Sequence, residues 1–247
     1  MSPVDQLPRT LRVLWDLEPK PTRSTGPALS RERIVRAAIE LVDEQGMDAL
    51  SMARLAERLG CATMSLYRHV ASKDELQAVM LDAGLAEPPR QDDPNDNWRA
   101  GLETWARTLL AVYLRHPWMP RMEITGPPLS PGQLGWLEAG LVLLHDTALQ
   151  PIERMSVMLL VAGYVRTEAT MAIVGDEVRR DVGPDSARET VEQVAKLIDP
   201  QRFPALSEIV ESGAFTSAPF DFDHFTYGLR LILDAIAVRA NHQMTGP

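Results

Sequence analysis

Within eleven residues, Thr63, Met64, Ser65, Tyr67, Arg68, His69 and Lys73 gather two hydroxyls, a phenol, an imidazole, a thioether and two cations. This is the chemistry of hydrogen bonding and ion pairing to an anionic polymer. Hydroxyls can meet base edges or phosphates, a methionine can touch a thymine methyl, and longer side chains reach backbone oxygens. The elements needed to present them surround the run. Ser51 caps a helix whose inner face is Met52, Leu55, Ala56 and Leu59, and Gly60 supplies a turn. A nine-residue helix Ala62–Val70, anchored by Leu66 and Val70, then turns its polar side outward. That is a helix-turn-helix, in which the second helix is offered to a major groove and the first points its N-terminus at a phosphate.

Catalysis finds no comparable support. The chain has one cysteine, Cys61, and five histidines with no i, i+4 pair, so neither a disulfide nor a zinc motif is encoded locally. Phosphate loops, nucleophile elbows and dinucleotide fingerprints are missing. No cofactor is expected.

A net charge of −9 argues superficially against a nucleic-acid partner. The distribution of that charge points the other way. Residues 1–86 sum to −1 and the rest to −8, while Lys20–Arg36 carries +4 and Leu50–Lys73 carries +3. Local positive clusters set attraction to phosphates, and an acidic body behind them would orient the molecule.

Along the chain, residues 1–29 hold five prolines and read as an arm, with one or two helical turns at Leu11–Leu17. Lys20 and Arg23 would be placed to enter a minor groove. Ser30 opens a helix with Ile34, Ala38, Leu41 and Val42 inward, stopped by Gly46; Ser72 caps Lys73–Gly84. Residues 30–86 thus form a DNA-binding head. Glu87–Asn97 is a linker by composition. A body over 98–247 contains helices at Trp98–Leu114, Gln133–Ala148, Pro151 to about Arg180, Ser186–Ile198, Pro204–Gly213 and Asp223–Asn241. No strand alternation survives, so the fold class is all-α. The apolar run Val157–Val165 reads as too short to span a bilayer before Arg166 and Glu168, and no secretion signal is evident, which points to a cytoplasmic protein.

The residues closely resemble the TetR family of bacterial transcription regulators, through Ile34–Leu41, LSMARLAERLG from Leu50 and MSLYRHVASKDEL from Met64. The resemblance is strong over Leu29–Gly84. It implies a three-helix DNA head on a larger helical body that binds a small molecule and dimerises. By motif position, Ser51 and Arg54 fall in the supporting helix, Thr63, Met64, Ser65, Tyr67, Arg68 and His69 in the recognition helix, and Lys73 just after it. Ala53 stands where tetracycline repressor has a base-reading arginine, so a different operator is expected.

In the body, Trp105, Met122, Trp136, Met155, Met158, Tyr164 and Met171 supply adaptable apolar volume. Trp105, His145, Met158, Tyr164 and Glu168 are the ligand-contact candidates. The helices from Pro151 and Asp223 carry more apolar circumference than one core face needs, which suits a dimer bundle. The expected partners are a palindromic double-stranded operator, a small-molecule effector and a second copy of the chain, with no membrane. The competing reading is a ligand-binding or protein-interaction module with a vestigial head; an all-α enzyme would require a polar constellation that is not found.

Overall fold

A computed structural model describes residues 6–18, 29–85, 87–89, 97–124, 126–221 and 223–242. Twelve α-helices and no strand occur among them. The arm residues Lys20 and Arg23 lie outside this set.

The head is built on three serine caps. Ser30, Ser51 and Ser72 each accept a hydrogen bond from the backbone N–H three residues on, opening α2 (Arg31–Gln45), α3 (Met52–Leu59) and α5 (Lys73–Gly84). Gly60, at φ 66° and ψ 36°, ends α3 in the left-handed region that a side chain resists. The Cys61 N–H then reaches back to the carbonyl of Ala56 at 3.0 Å, closing the helix end.

The helix after the Gly60 turn, α4, is shorter than its sequence pattern suggests, Thr63–Tyr67 rather than nine residues. Ala62 offers no capping side chain, and Arg68 and His69 form a turn. The Val70 N–H still bonds the Leu66 carbonyl at 2.9 Å, so the chain holds a helical sense until Val70 is buried.

Ahead of the head, α1 (Arg9–Leu14) packs on α5 with Val13 buried. Arg9 pairs with Glu75 at 3.1 Å, and Glu75, itself buried, also accepts the Ala71 N–H at 3.0 Å. Past α1, the Trp15 indole donates to the Leu129 carbonyl at 2.9 Å. α1 and the residue after it therefore bridge α5 and the loop that leads into α7 (Pro131–Leu143).

The body follows as α6 (Trp98–Arg115), α7 (Pro131–Leu143), α8 (Pro151–Val182), α9 (Pro184–Ala195), α10 (Pro204–Glu211), α11 (Ala214–Asp221) and α12 (His224–His242). Asn97 caps α6, and Ser130 with Gln133 forms a capping box on α7. The helix α11 has no counterpart in the sequence-based assignment; Gly213, at φ 77°, separates it from α10. The long α8 packs against α6, α7, α9 and α12. One continuous apolar core runs from Ile34 and Leu66 in the head, through Leu76 and Met80 of α5, to Trp105, Leu144 and Val161 in the body.

An 18-residue window of α8 has a mean hydropathy of 1.5, so by length and composition alone this helix could cross a membrane. The apolar stretch continues past Arg166 and Glu168, but one helix of this composition is weak evidence for a membrane span and does not overturn the expectation of none. Arg166 is drawn onto the short turn Met119–Arg121, donating to the carbonyls of Pro120 and Met122. Only 28% of the window is buried, and Leu159, Leu160, Met171 and Val174 are exposed.

Candidate nucleic-acid interface

Leu66 and Val70 are wholly buried, and that fixes how the rest of α4 faces. Met64 is 71% exposed, Tyr67 and Arg68 are exposed, and Thr63, Ser65 and His69 lie half-buried at the edges. Lys73 is exposed at the first turn of α5, and Arg54 at that of α3. Hydroxyls, a thioether, a phenol and cations thus share one end of the head. Ser51 uses its side chain on the Arg54 N–H at 3.2 Å, so the start of α3 is a rigid, capped N-terminus. Ala53 is exposed, with a methyl where a longer side chain would reach outward.

Two charges near this surface are already engaged. Arg58 makes a twofold contact with Glu44 at 2.7 and 2.8 Å, and that contact holds the Glu44 carboxyl below its usual range. Arg31 donates to the His69 carbonyl at 3.3 Å, tying the N-terminus of α2 to the end of the recognition segment. Burial, and then the Arg31 charge, hold the His69 imidazole below the usual histidine value, so at neutral pH it is an uncharged donor and acceptor.

Head and body meet at Asp43. This α2 carboxylate contacts His116 Nδ1 at 2.9 Å and accepts the Trp118 indole N–H at 2.8 Å. At the other side of the junction, Asp82 of α5 accepts the Gly132 N–H at 2.7 Å, and the Leu85 carbonyl accepts the Trp136 indole at 3.1 Å. None of these pairs was legible in the sequence, because each joins residues about 50 or more positions apart.

The body candidates separate. Trp105 lines a cavity between α6, α7 and residues 87–89, with its indole donating to the Trp136 carbonyl. Met158 is buried beside Gly140, where an added Cβ would collide with its thioether. Tyr164 joins α8 to α12 through the His224 carbonyl, with Glu168 beside it. His145 is exposed and contacts its neighbour Asp146. These four do not line the described cavity. Gly135, Glu138 and Glu87 do, and the sequence signal for the first was a glycine inside a helical pattern. No group of three or more acidic, histidine or cysteine side chains suited to a metal ion occurs among the described residues.

Residues 34–79 match the family model for bacterial regulatory proteins of the tetR family, and residues 89–240 match that for the tetracyclin repressor-like C-terminal domain. The chain belongs to the TetR family. A repressor of Streptomyces coeruleorubidus, DrrR1, is 38% identical over 93% of this chain and 85% of its own length. The class A tetracycline repressor from transposon 1721 of Escherichia coli is 27% identical over 85% of this chain and 92% of its own. Among solved structures, the TetR family protein ActR of Streptomyces coelicolor, in complex with actinorhodin, superposes with a TM-score of 0.73 at 28% identity. It covers 87% of this chain and 99% of ActR. This TetR-family chain is a ligand-responsive, DNA-binding transcriptional regulator, not an enzyme.

Proposed function

We propose that the protein is a cytoplasmic repressor that binds a palindromic operator as a homodimer and is released by a small molecule held in its body. The observation that carries the DNA reading is the division of α4: Leu66 and Val70 locked inside, Met64, Tyr67 and Arg68 turned out. Thr63, Met64, Ser65 and Arg68 then read base edges, while Ser51, Arg54, Tyr67, His69 and Lys73 position the head on phosphates. The head is residues 30–86 and the effector and dimer body 98–247.

Dimerisation is supported by the apolar faces of two neighbouring helices. Leu159, Leu160, Met171 and Val174 on α8, and Tyr227, Leu231 and Val238 on α12, are exposed in the single chain. Patches of this extent on a water-facing surface mark a contact with another molecule. Pairing α8 and α12 with their symmetric copies gives a four-helix bundle and spaces two heads along the duplex. It also accounts for a helix apolar enough to enter a membrane.

ActR was solved with actinorhodin and with (S)-DNPA. A ligand in this body would act by favouring a head spacing that mismatches successive major grooves, and only through its different affinities for the two spacings. The deciding experiment is a mobility shift on palindromic DNA taken from beside the protein's own gene. Retardation at moderate salt that scrambled DNA does not give supports the reading. Equal affinity for both across salt concentrations refutes it.

A further inference from the structure

Helix α1 is six residues long, too short to persist in water without support. Yet its ends are closely built. Asp16, at φ 52°, takes the left-handed conformation that residues other than glycine seldom adopt, and the Leu17 N–H reaches back to the Arg12 carbonyl at 2.8 Å. The Arg12 guanidinium closes both sides, donating to the Leu7 carbonyl at 2.9 Å and to Glu18 at 2.7 Å. Residues 7–18 therefore form one folded clip, which packs on α5 with Val13 buried.

The clip is attached at two places. Arg9 donates to Oε2 of Glu75 at 3.1 Å, while the other carboxylate oxygen accepts the Ala71 N–H at 3.0 Å. Glu75 is 3% exposed, and a buried carboxylate is costly without a cation and donors. Among the described residues, Arg9 is the cation that meets it. One carboxylate thus holds both α1 and the turn between α4 and α5, two residues from Lys73. The second attachment is Trp15, whose indole donates to the Leu129 carbonyl at 2.9 Å, one residue before the Ser130 cap of α7.

The far end of α5 is fastened to α7 directly, by Asp82 on the Gly132 N–H and by the Trp136 indole on the Leu85 carbonyl. A helix of 12 residues is about 18 Å long. A pivot about its last turns would move its first turn most, and the first turn is where α1 adds a link to the loop ahead of α7.

We propose that α1 is a positioning element for DNA binding, fixing the attitude of the head on the body by joining the first turn of α5 to that loop. The proposal rests on the dimeric repressor reading for its consequence. Two heads on one operator must meet it at one spacing, and a head free to tilt spends only part of its time there. Arg9 and Trp15 then raise operator affinity through the attitude of the head, because only the competent fraction of the protein binds.

The test is the distance between head and body within one chain, measured by pulsed electron–electron resonance. Cys61→Ser removes the single thiol, and Glu57→Cys on α3 with Ala111→Cys on α6 supply two exposed labelling sites. Dilution with unlabelled chain leaves only the distance inside each molecule. Arg9→Ala, Trp15→Phe and the two combined should each broaden the distance distribution while keeping the circular dichroism of the parent. Operator binding should weaken by up to ~10-fold, as when the competent fraction falls to about a tenth, with base preference unchanged. A distribution of parental width in the combined variant overturns the proposal even if its urea midpoint falls, since α1 is then only a cover for the head. Broadening with no loss of operator affinity overturns it as well. If the combined variant does not fold, the two single variants decide by the same criteria. A mobility shift on the parent separates the two readings. Broadening in a chain that does not select its operator removes the repressor and keeps the link, and operator selection with no broadening in the variants removes the link alone.

Discussion

Tyr164 and Gly228 fit one another across the contact of α8 with α12. The phenol donates to the His224 carbonyl at 2.8 Å, and a Cβ on Gly228 would stand 2.3 Å from that hydroxyl oxygen. Burial, reinforced by the neighbouring Glu168, pushes the Tyr164 hydroxyl up to about 12. Its folded value lies above the unfolded one, so its contribution to stability is complete below pH 10 and fades as pH rises toward 12. Gly228→Ala should displace the phenol and cost about 1–3 kcal/mol in urea unfolding. Tyr164→Phe should cost about 1 kcal/mol, and the double variant less than the sum of the two. Full additivity would show that the pair is not coupled.

Asp43→Ala should uncouple the body from the head. It strands the buried Trp118 N–H, which costs about 1–3 kcal/mol as an unsatisfied donor. Operator base preference should be unchanged, because Asp43 is on α2 and its side chain is engaged with His116 and Trp118 rather than with α4. The concentration of effector that releases half the DNA should shift. An unaltered release curve with lowered stability would make this contact purely structural.

The proposed division of labour on the recognition surface is measurable by anisotropy against a set of operator variants. Tyr67→Phe and Lys73→Ala should weaken every sequence alike, and the lysine variant should flatten the log–log salt slope by about 1. Thr63→Ala or Arg68→Ala should change base preference by about 1–3 kcal/mol at one position per half-site. A uniform loss with Arg68→Ala would move that arginine to the phosphates.

His69 makes the head sensitive to acid. Its imidazole binds a proton less tightly folded than unfolded, because burial and Arg31 both oppose the charge. The unfolded chain therefore takes up the proton first, and stability falls as pH drops below about 6.5. His69→Gln should lessen the difference between urea midpoints at pH 7.5 and 5.5. An unchanged difference would assign the acid response to other groups.

Gly135→Ala should stabilise the chain by about 0.5–1 kcal/mol, since alanine favours the helix and its methyl enters open space. Thermal unfolding gives the value, and a destabilised variant would mean that the space around α7 is not open.

Local chemistry was readable in the sequence and distant packing was not. Ser30, Ser51 and Ser72 announce their helices because a cap needs only the next three residues, and Gly60 announces a turn for the same reason. The outward side of α4 followed from two apolar anchors, although its length did not, since a helix without a capping side chain ends where tertiary contacts allow. α11 escaped notice because its eight residues show little apolar periodicity. In the body, a set of aromatic and sulfur side chains could not distinguish Trp105, which borders open space, from Met158, which fills it. Asp43 and His116 are 73 residues apart, and only the folded chain makes them neighbours.

Helix α1, with Trp15 just beyond it, is fastened at Glu75 on one side and Leu129 on the other. It lies like a splint along α5, between that helix and the loop ahead of α7. Tilting α5 must stretch this splint or spring one of its fastenings, so two contacts remote from the outward side of α4 oppose such a tilt. Shaved of that splint, the same reader would yield to a lower dose of the same compound.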